Sequence, residues 1–150
     1  MQVMIATIKP RTLAAVRRKV WMGNVPGAFR PALDQVWAFL GRNPGLRTDG
    51  HNVFLYGHPA GNQPMEVDFG VEVTRRFADE GEVHCVETPS GEAAIAIHQG
   101  DYAGLQATHA AIHQWVAASG RRIGSHSMEI YGDWHTDPNK LETEIIYLLA

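Results

Sequence analysis

The sequence predicts an α+β domain: two β-α-β-β units related by a pseudo-twofold, forming one antiparallel sheet with two main helices on one face and a central cleft. Three observations carry this reading. The chain has 150 residues, the length of one ordinary domain, with 45% apolar and 19% charged residues. Helical and alternating apolar patterns interleave along it. The two halves, about 1–78 and 79–150, also repeat one order of landmarks. The first runs Trp37, Gly41-Arg42, Tyr56-Gly57, Glu66-Val67-Asp68; the second runs Trp115, Gly120-Arg121, Tyr131-Gly132, Glu142-Thr143-Glu144.

Residues 1–8, rich in Val, Ile and Met, read as a first strand closed by Pro10. Thr12 is placed to cap a short helix over Leu13 to Val20. The run Gly23-Asn24-Val25-Pro26-Gly27 reads as a turn. Phe29, Ala32, Leu33, Val36, Trp37 and Leu40 form one helical stripe, with Pro31 in the first turn and Gly41 and Pro44 as stops. Val53 to Tyr56 and Val67 to Val73 read as a hairpin around the turn-rich stretch 58–64. In its second arm Val67, Phe69, Val71 and Val73 share one face. Val83 to Glu87 and Ala93 to His98 are further strands. Asp101 caps a helix over Tyr102 to Ser119, whose inner stripe is Tyr102, Leu105, His109, Ile112 and Val116, with Gly120 at its end. Met128 to Tyr131 and Thr143 to Leu149 complete the set.

Composition excludes several classes. No apolar run approaches the roughly 18 residues of a membrane span. The N-terminal apolar stretch precedes its basic residues, the reverse of a secretory signal, which predicts a cytoplasmic protein. A single cysteine, Cys85, excludes an internal disulfide and a multi-thiolate metal site; it reads as a small buried residue on a strand. The formal charge of −3 lacks the basic surplus of a DNA-binding domain. Arg11, Arg17, Arg18 and Lys19 read as a solvated helix face. Neither a Gly-x-Ser-x-Gly nucleophile motif nor a glycine-rich phosphate loop occurs. His109 and His113 have the i, i+4 spacing that lets two histidines share a metal, but Ala110 stands where a zinc hydrolase needs glutamate. They read as one core and one surface histidine, and no metal or cofactor is expected.

The segments His98-Gln99-Gly100-Asp101-Tyr102, Trp115, Met128-Glu129-Ile130-Tyr131 and Thr143-Glu144-Ile145 resemble the GyrI-like effector-binding domain, also found at the C-terminus of AraC- and MerR-type multidrug-responsive regulators. The resemblance spans nearly the whole chain and implies the same tandem fold. It departs in the last strand, which lacks a common proline, and at Ser127-Met128, where many relatives carry an aromatic.

What the resemblance implies is a cleft between the halves, approached by Glu129 and Glu144, walled by aromatics and suited to lipophilic cations. Strand alternation alone points Glu144 away from the apolar face of Ile145, Tyr147 and Leu149, toward water; the resemblance points it to the cleft. Trp37 and Trp115 read equally as core or cleft wall, and Tyr131, on the strand face of Glu129, as donor or packing. Trp21 and Trp134, in or beside loops, are candidates to cover a ligand.

The leading expectation is a stand-alone binder of an amphipathic or cationic aromatic small molecule, with Glu129 and Glu144 supplying charge and Trp21, Trp37, Trp115, Tyr131 and Trp134 supplying walls. The resemblance implies two alternatives. One is a hydrolase of strained, cyclopropane-bearing natural products using a cleft glutamate as general base. The other is a protein-partner binder such as a gyrase inhibitor. Once the domain is placed no residues remain for a helix-turn-helix, so direct DNA binding is not expected.

Overall fold

The computed structural model describes residues 2–150, and their side chains outside 47–49. Met1, in the first predicted strand, lies outside the described residues. The strands are β1 (Met4–Ile8), β2 (Thr12–Val20), β3 (Arg47–Gly57), β4 (Met65–Val73), β5 (Val83–Glu87), β6 (Gly91–Gln99), β7 (Ile123–Tyr131) and β8 (Glu142–Leu149). Helix α1 (Val25–Arg42) follows β2, and α2 (Leu105–Ala118) follows β6. The strands form one eight-stranded sheet in the order β1-β6-β8-β7-β3-β4-β2-β5. Every pairing is antiparallel, so the α+β class with an antiparallel sheet and two main helices is as the sequence predicts. Among the described residues no helix is long and apolar enough to cross a membrane.

Connectivity forces the sheet to curl. In a flat sheet β1 and β2 would stand six strand spacings apart, about 28 Å. The link between them is residues 9–11, which reaches about 14 Å at most. The β5–β6 link, residues 88–90, is equally short. Both are accommodated because the two ends of the sheet approach each other and the links bond together. Thr88 N donates to the Arg11 carbonyl at 2.8 Å, and Arg11 N donates to Thr88 Oγ1 at 2.7 Å. Inside the curl lies one apolar cluster, including Leu13, Ala15, Val53, Leu55, Met128, Ile130 and Ile146. On the outer face α1 packs Val36, Phe39 and Leu40 over Val16, Val67, Phe69 and Val71. On the same face α2 packs Ile112 and Val116 over Ala94, Ala96 and Ile145.

The predicted helix over Leu13 to Val20 is strand β2. Leu13 and Ala15 are buried in the inner cluster while Ala14 and Val16 are buried against α1, so consecutive residues face opposite ways. The predicted basic face is therefore not helical, and its three arginines pair with neighbouring strands and loops. Arg17 grips Asp68 through two bonds of 2.8 and 3.1 Å, Arg18 meets Glu82 at 2.8 Å, and Arg11 meets Glu72 at 2.8 Å. A single 3-10 turn at Met22–Asn24 leads directly into α1, so most of the predicted turn is helix. Pro26, not Pro31, takes the N-terminal position where a missing N–H costs nothing, and Pro31 lies inside the helix. Asp101 accepts from Ala103 N at 3.0 Å and caps a 3-10 turn ahead of α2, which begins three residues later than predicted.

Candidate functional site

The site is built by strand parity at the seam where β3 pairs with β7. In the β3–β7 pairing Phe54 stands opposite Glu129, and Tyr56 opposite Ser127. In the β7–β8 pairing Ser127 stands opposite Tyr147. Directly opposed residues share a face, so all of these, with Tyr131, point to the helix side. Helix α1 packs over β2 and β4, α2 packs over β6 and β8, and neither covers the seam. What remains is a cavity of about 940 Å³. Phe29, Leu33 and Trp37 of α1 form one wall, and Leu105, His109 and His113 of α2 the other. Met22, Tyr102 and Trp134 reach it from the connecting segments.

Glu129 lies at the floor, only 5% exposed. Its Oε1 accepts from Tyr56 OH at 2.5 Å and from Tyr131 OH at 2.8 Å. Its Oε2 meets His109 Nε2 at 2.7 Å. His109 Nδ1 in turn meets Tyr147 OH at 2.6 Å. Burial by itself pushes the carboxyl up, but bonds from His109, Tyr56 and Tyr131 outweigh it and hold Glu129 below the ordinary glutamate value. The floor therefore carries an ionised carboxylate at neutral pH. Burial, then the charge of Glu129, holds the Tyr56 and Tyr131 phenols well above the usual tyrosine value. The same two causes push Tyr147 up to about 12. All three phenols are neutral in the physiological range.

Three imidazoles surround the Tyr147 ring. His58 stacks on it with centroids 6.0 Å apart, while His109 and His113 present edge-on at 5.6 and 4.8 Å. His58 Nε2 meets Ser127 Oγ at 2.8 Å. Burial lowers both His58 and His113, and neighbouring imidazoles lower them further, so each is neutral at pH 7. On the other side of Glu129, Phe54 and Tyr102 lie 4.9 and 5.6 Å from the Tyr131 ring. The result is an aromatic chamber with a buried negative charge at its floor.

The sequence model of the GyrI-like small molecule binding domain matches residues 1–149. The chain belongs to this GyrI-like family. The C-terminal domain of EcmrR superposes with a TM-score of 0.81 at 24% identity, covering 99% of this chain and 97% of that one. In an EcmrR–DNA complex the same match covers 57% of the longer EcmrR chain. SAV2435, solved with tetraphenylphosphonium bound, superposes with a TM-score of 0.76 at 16% identity, over 100% of this chain and 94% of that one. A hydrolase from Listeria innocua superposes with a TM-score of 0.68 at 14% identity, over 99% and 92%. At these identities the likeness is one of fold. No curated protein sequence matches the chain.

Within this GyrI-like domain the residues singled out from the sequence separate into two groups. Glu129, Tyr131, Trp37 and Trp134 line the cavity, Trp134 at 71% exposure. Glu144, Trp115 and Trp21 do not. Glu144 stands opposite Ile130, whose side chain belongs to the inner cluster, so it projects from the other face of the sheet. Trp115 packs against the core beneath α2, and Trp21 is 49% exposed beside the first 3-10 turn. Sequence reasoning missed Tyr56, His58 and Tyr147, and read His109 as a core histidine. The available signal was His109 itself, a titratable residue on an otherwise apolar helical stripe. Among the described residues no group of three or more His, Cys, Asp or Glu is arranged to hold a metal.

Proposed function

We propose that this domain binds an amphipathic or cationic aromatic small molecule in the cavity over the β3–β7 seam. The observation that carries the reading is an ionised Glu129 at the bottom of a chamber lined by Trp37, Phe29, Phe54, Tyr131 and Tyr147. A charge in such surroundings is costly to desolvate unless it is compensated. The protein supplies neutral hydrogen-bond donors, which stabilise the charge without cancelling it. A ligand cation would add Coulomb attraction, and each aromatic face about 0.5–2 kcal/mol of cation–π attraction. The bound tetraphenylphosphonium of SAV2435 supports a ligand of this class. A general base works best with a pKa near the operating pH. Glu129 is held low instead, which favours a charge-supplying role over the hydrolase reading.

The test is titration of tetraphenylphosphonium and an uncharged isostere, followed by tryptophan fluorescence and thermal shift. A ligand that binds only the folded chain raises its melting temperature. Glu129→Gln is expected to weaken the cation about tenfold or more, from a carboxylate–cation attraction of a few kcal/mol across several ångströms of partly polar medium. The neutral isostere should change by no more than about twofold. Equal loss for both ligands overturns the role of charge, and turnover of either ligand would reinstate the hydrolase.

A further inference from the structure

Tyr147 lets His109 hold its place in either charge state. As a neutral imidazole, His109 donates from Nε2 to Glu129 and accepts at Nδ1 from the Tyr147 hydroxyl. As an imidazolium it donates from both nitrogens, and the hydroxyl turns to accept. Both His109 contacts are kept in either state. What changes is the charge of the floor: the Glu129–His109 pair is net negative with neutral His109 and net zero with the imidazolium. Among the described side chains no other charged group lies at the floor to mask that difference. From β3 come Tyr56 and His58, from β7 Tyr131, from β8 Tyr147, and from α2 itself His113. None of these carries charge at neutral pH, given the directions of their shifts. Tyr102, which packs edge-on against Tyr131, is held above the usual phenol value by burial. The cavity-lining residues of α1 are apolar. His51 and Asp133 pair at 3.0 Å near the mouth, where both are exposed.

We propose that His109 is the internal competitor of the ligand: a lipophilic cation enters the cavity in exchange for the proton on His109. This rests on the cavity reading above and adds a linkage to it. The imidazolium and the ligand cation draw on the same buried carboxylate, and a low-polarity chamber cannot hold both as favourably as one. Binding therefore releases a proton. The sign follows from reciprocity: if the proton weakens the cation, the cation weakens the proton by the same factor. Affinity is low while His109 is charged and rises with pH until the imidazole is neutral, by up to about tenfold per pH unit for one exchanged proton. Above that range it is flat. A neutral isostere gains nothing from the change.

The experiment is calorimetric titration of tetraphenylphosphonium into the full chain between pH 5.5 and 8.5, in buffers of contrasting ionisation enthalpy. The expected result is proton release that rises toward one per cation as pH falls. The His109→Gln variant keeps a donor to Glu129 and should bind the cation with no such pH dependence. His58→Asn, His113→Asn and His51→Asn should retain it. A pH dependence that persists in folded His109→Gln overturns the proposal. Should that variant not fold, the His109 ring resonances of the wild type serve instead: saturating tetraphenylphosphonium must move their titration midpoint to lower pH, and an unmoved midpoint overturns the proposal. Cation binding without proton release refutes the exchange alone. Failure of the cation to bind at any pH refutes the cavity reading and the exchange with it.

Discussion

Replacing Tyr56 with phenylalanine tests the electrostatics of the floor directly. The ring stays, so no cavity opens, and only the hydroxyl on Glu129 Oε1 is removed. A hydrogen bond to a charged group contributes about 1.5–3 kcal/mol, whereas one to a neutral partner contributes about 0.5–1.5 kcal/mol. Tyr56→Phe should therefore cost about 1.5–3 kcal/mol near pH 7.5, a drop in melting temperature of about 3–12 °C for a chain of this size. The pH dependence has a fixed sign. Glu129 is depressed in the folded state, so its contribution is complete above the unfolded glutamate value of about 4.3 and is lost as pH falls through the folded value. The gap between wild type and variant should accordingly shrink toward about 0.5–1.5 kcal/mol once the pH has fallen below the folded Glu129 value. Urea denaturation across a pH series from 7.5 downward measures it. A gap that is absent at pH 7.5, or that widens as pH falls, refutes the claim that Glu129 is ionised and held by its donors.

Two further outcomes follow from the geometry. Glu144→Gln should leave the affinities for tetraphenylphosphonium and its neutral isostere within about twofold of wild type, because Glu144 shares the sheet face of Ile130 and not that of Glu129; a loss as large as that of Glu129→Gln would place the ligand elsewhere. Gly70→Ala should destabilise by about 1–3 kcal/mol in urea denaturation, because the new Cβ would lie 2.9 Å from the Ala14 carbonyl oxygen; an unchanged midpoint would mean that β2 and β4 can separate at little cost.

Much of the fold was legible because most elements declare themselves locally. The alternation of β4 and the capped apolar stripe of α2 are short-range patterns, and both appear near their predicted bounds. Strand β2 was not legible. Leu, Ala, Arg and Lys are good helix formers, and the sequence Leu-Ala-Ala-Val-Arg-Arg-Lys-Val carries no helical stripe strong enough to test the choice. Its conformation is set by partners remote in sequence, β4 on one side and β5 on the other. The site divides in the same way. The shared face of Glu129 and Tyr131 is a two-residue spacing visible in one strand. Glu144 illustrates the converse: alternation against Ile145 pointed away from the cavity, resemblance pointed toward it, and the register agrees with alternation. Tyr56 and His109 meet Glu129, and Tyr147 meets His109, only because three strands and a helix converge there, which no local pattern encodes.

The same parity explains how the fold tolerates an ionised group at its centre. A buried charge is weak support for stability even when paired, so the seam must be held by something else. Along β3 and β7 the alternate residues Val53, Leu55, Met128 and Ile130 turn inward to the curl, where they pack with Leu13, Ala15 and Ile146. Each strand thus presents an apolar side to the inner core and a polar side to the cavity. The backbone pairing that aligns Phe54 with Glu129 is fixed from behind by packing that lies outside the cavity. A residue on the cavity floor can then be chosen for charge and hydrogen bonding rather than for packing, as Glu129 with its three donors is. The inner core supplies the rigidity that keeps those donors within 2.5 to 2.8 Å of one carboxylate while the space above it stays open.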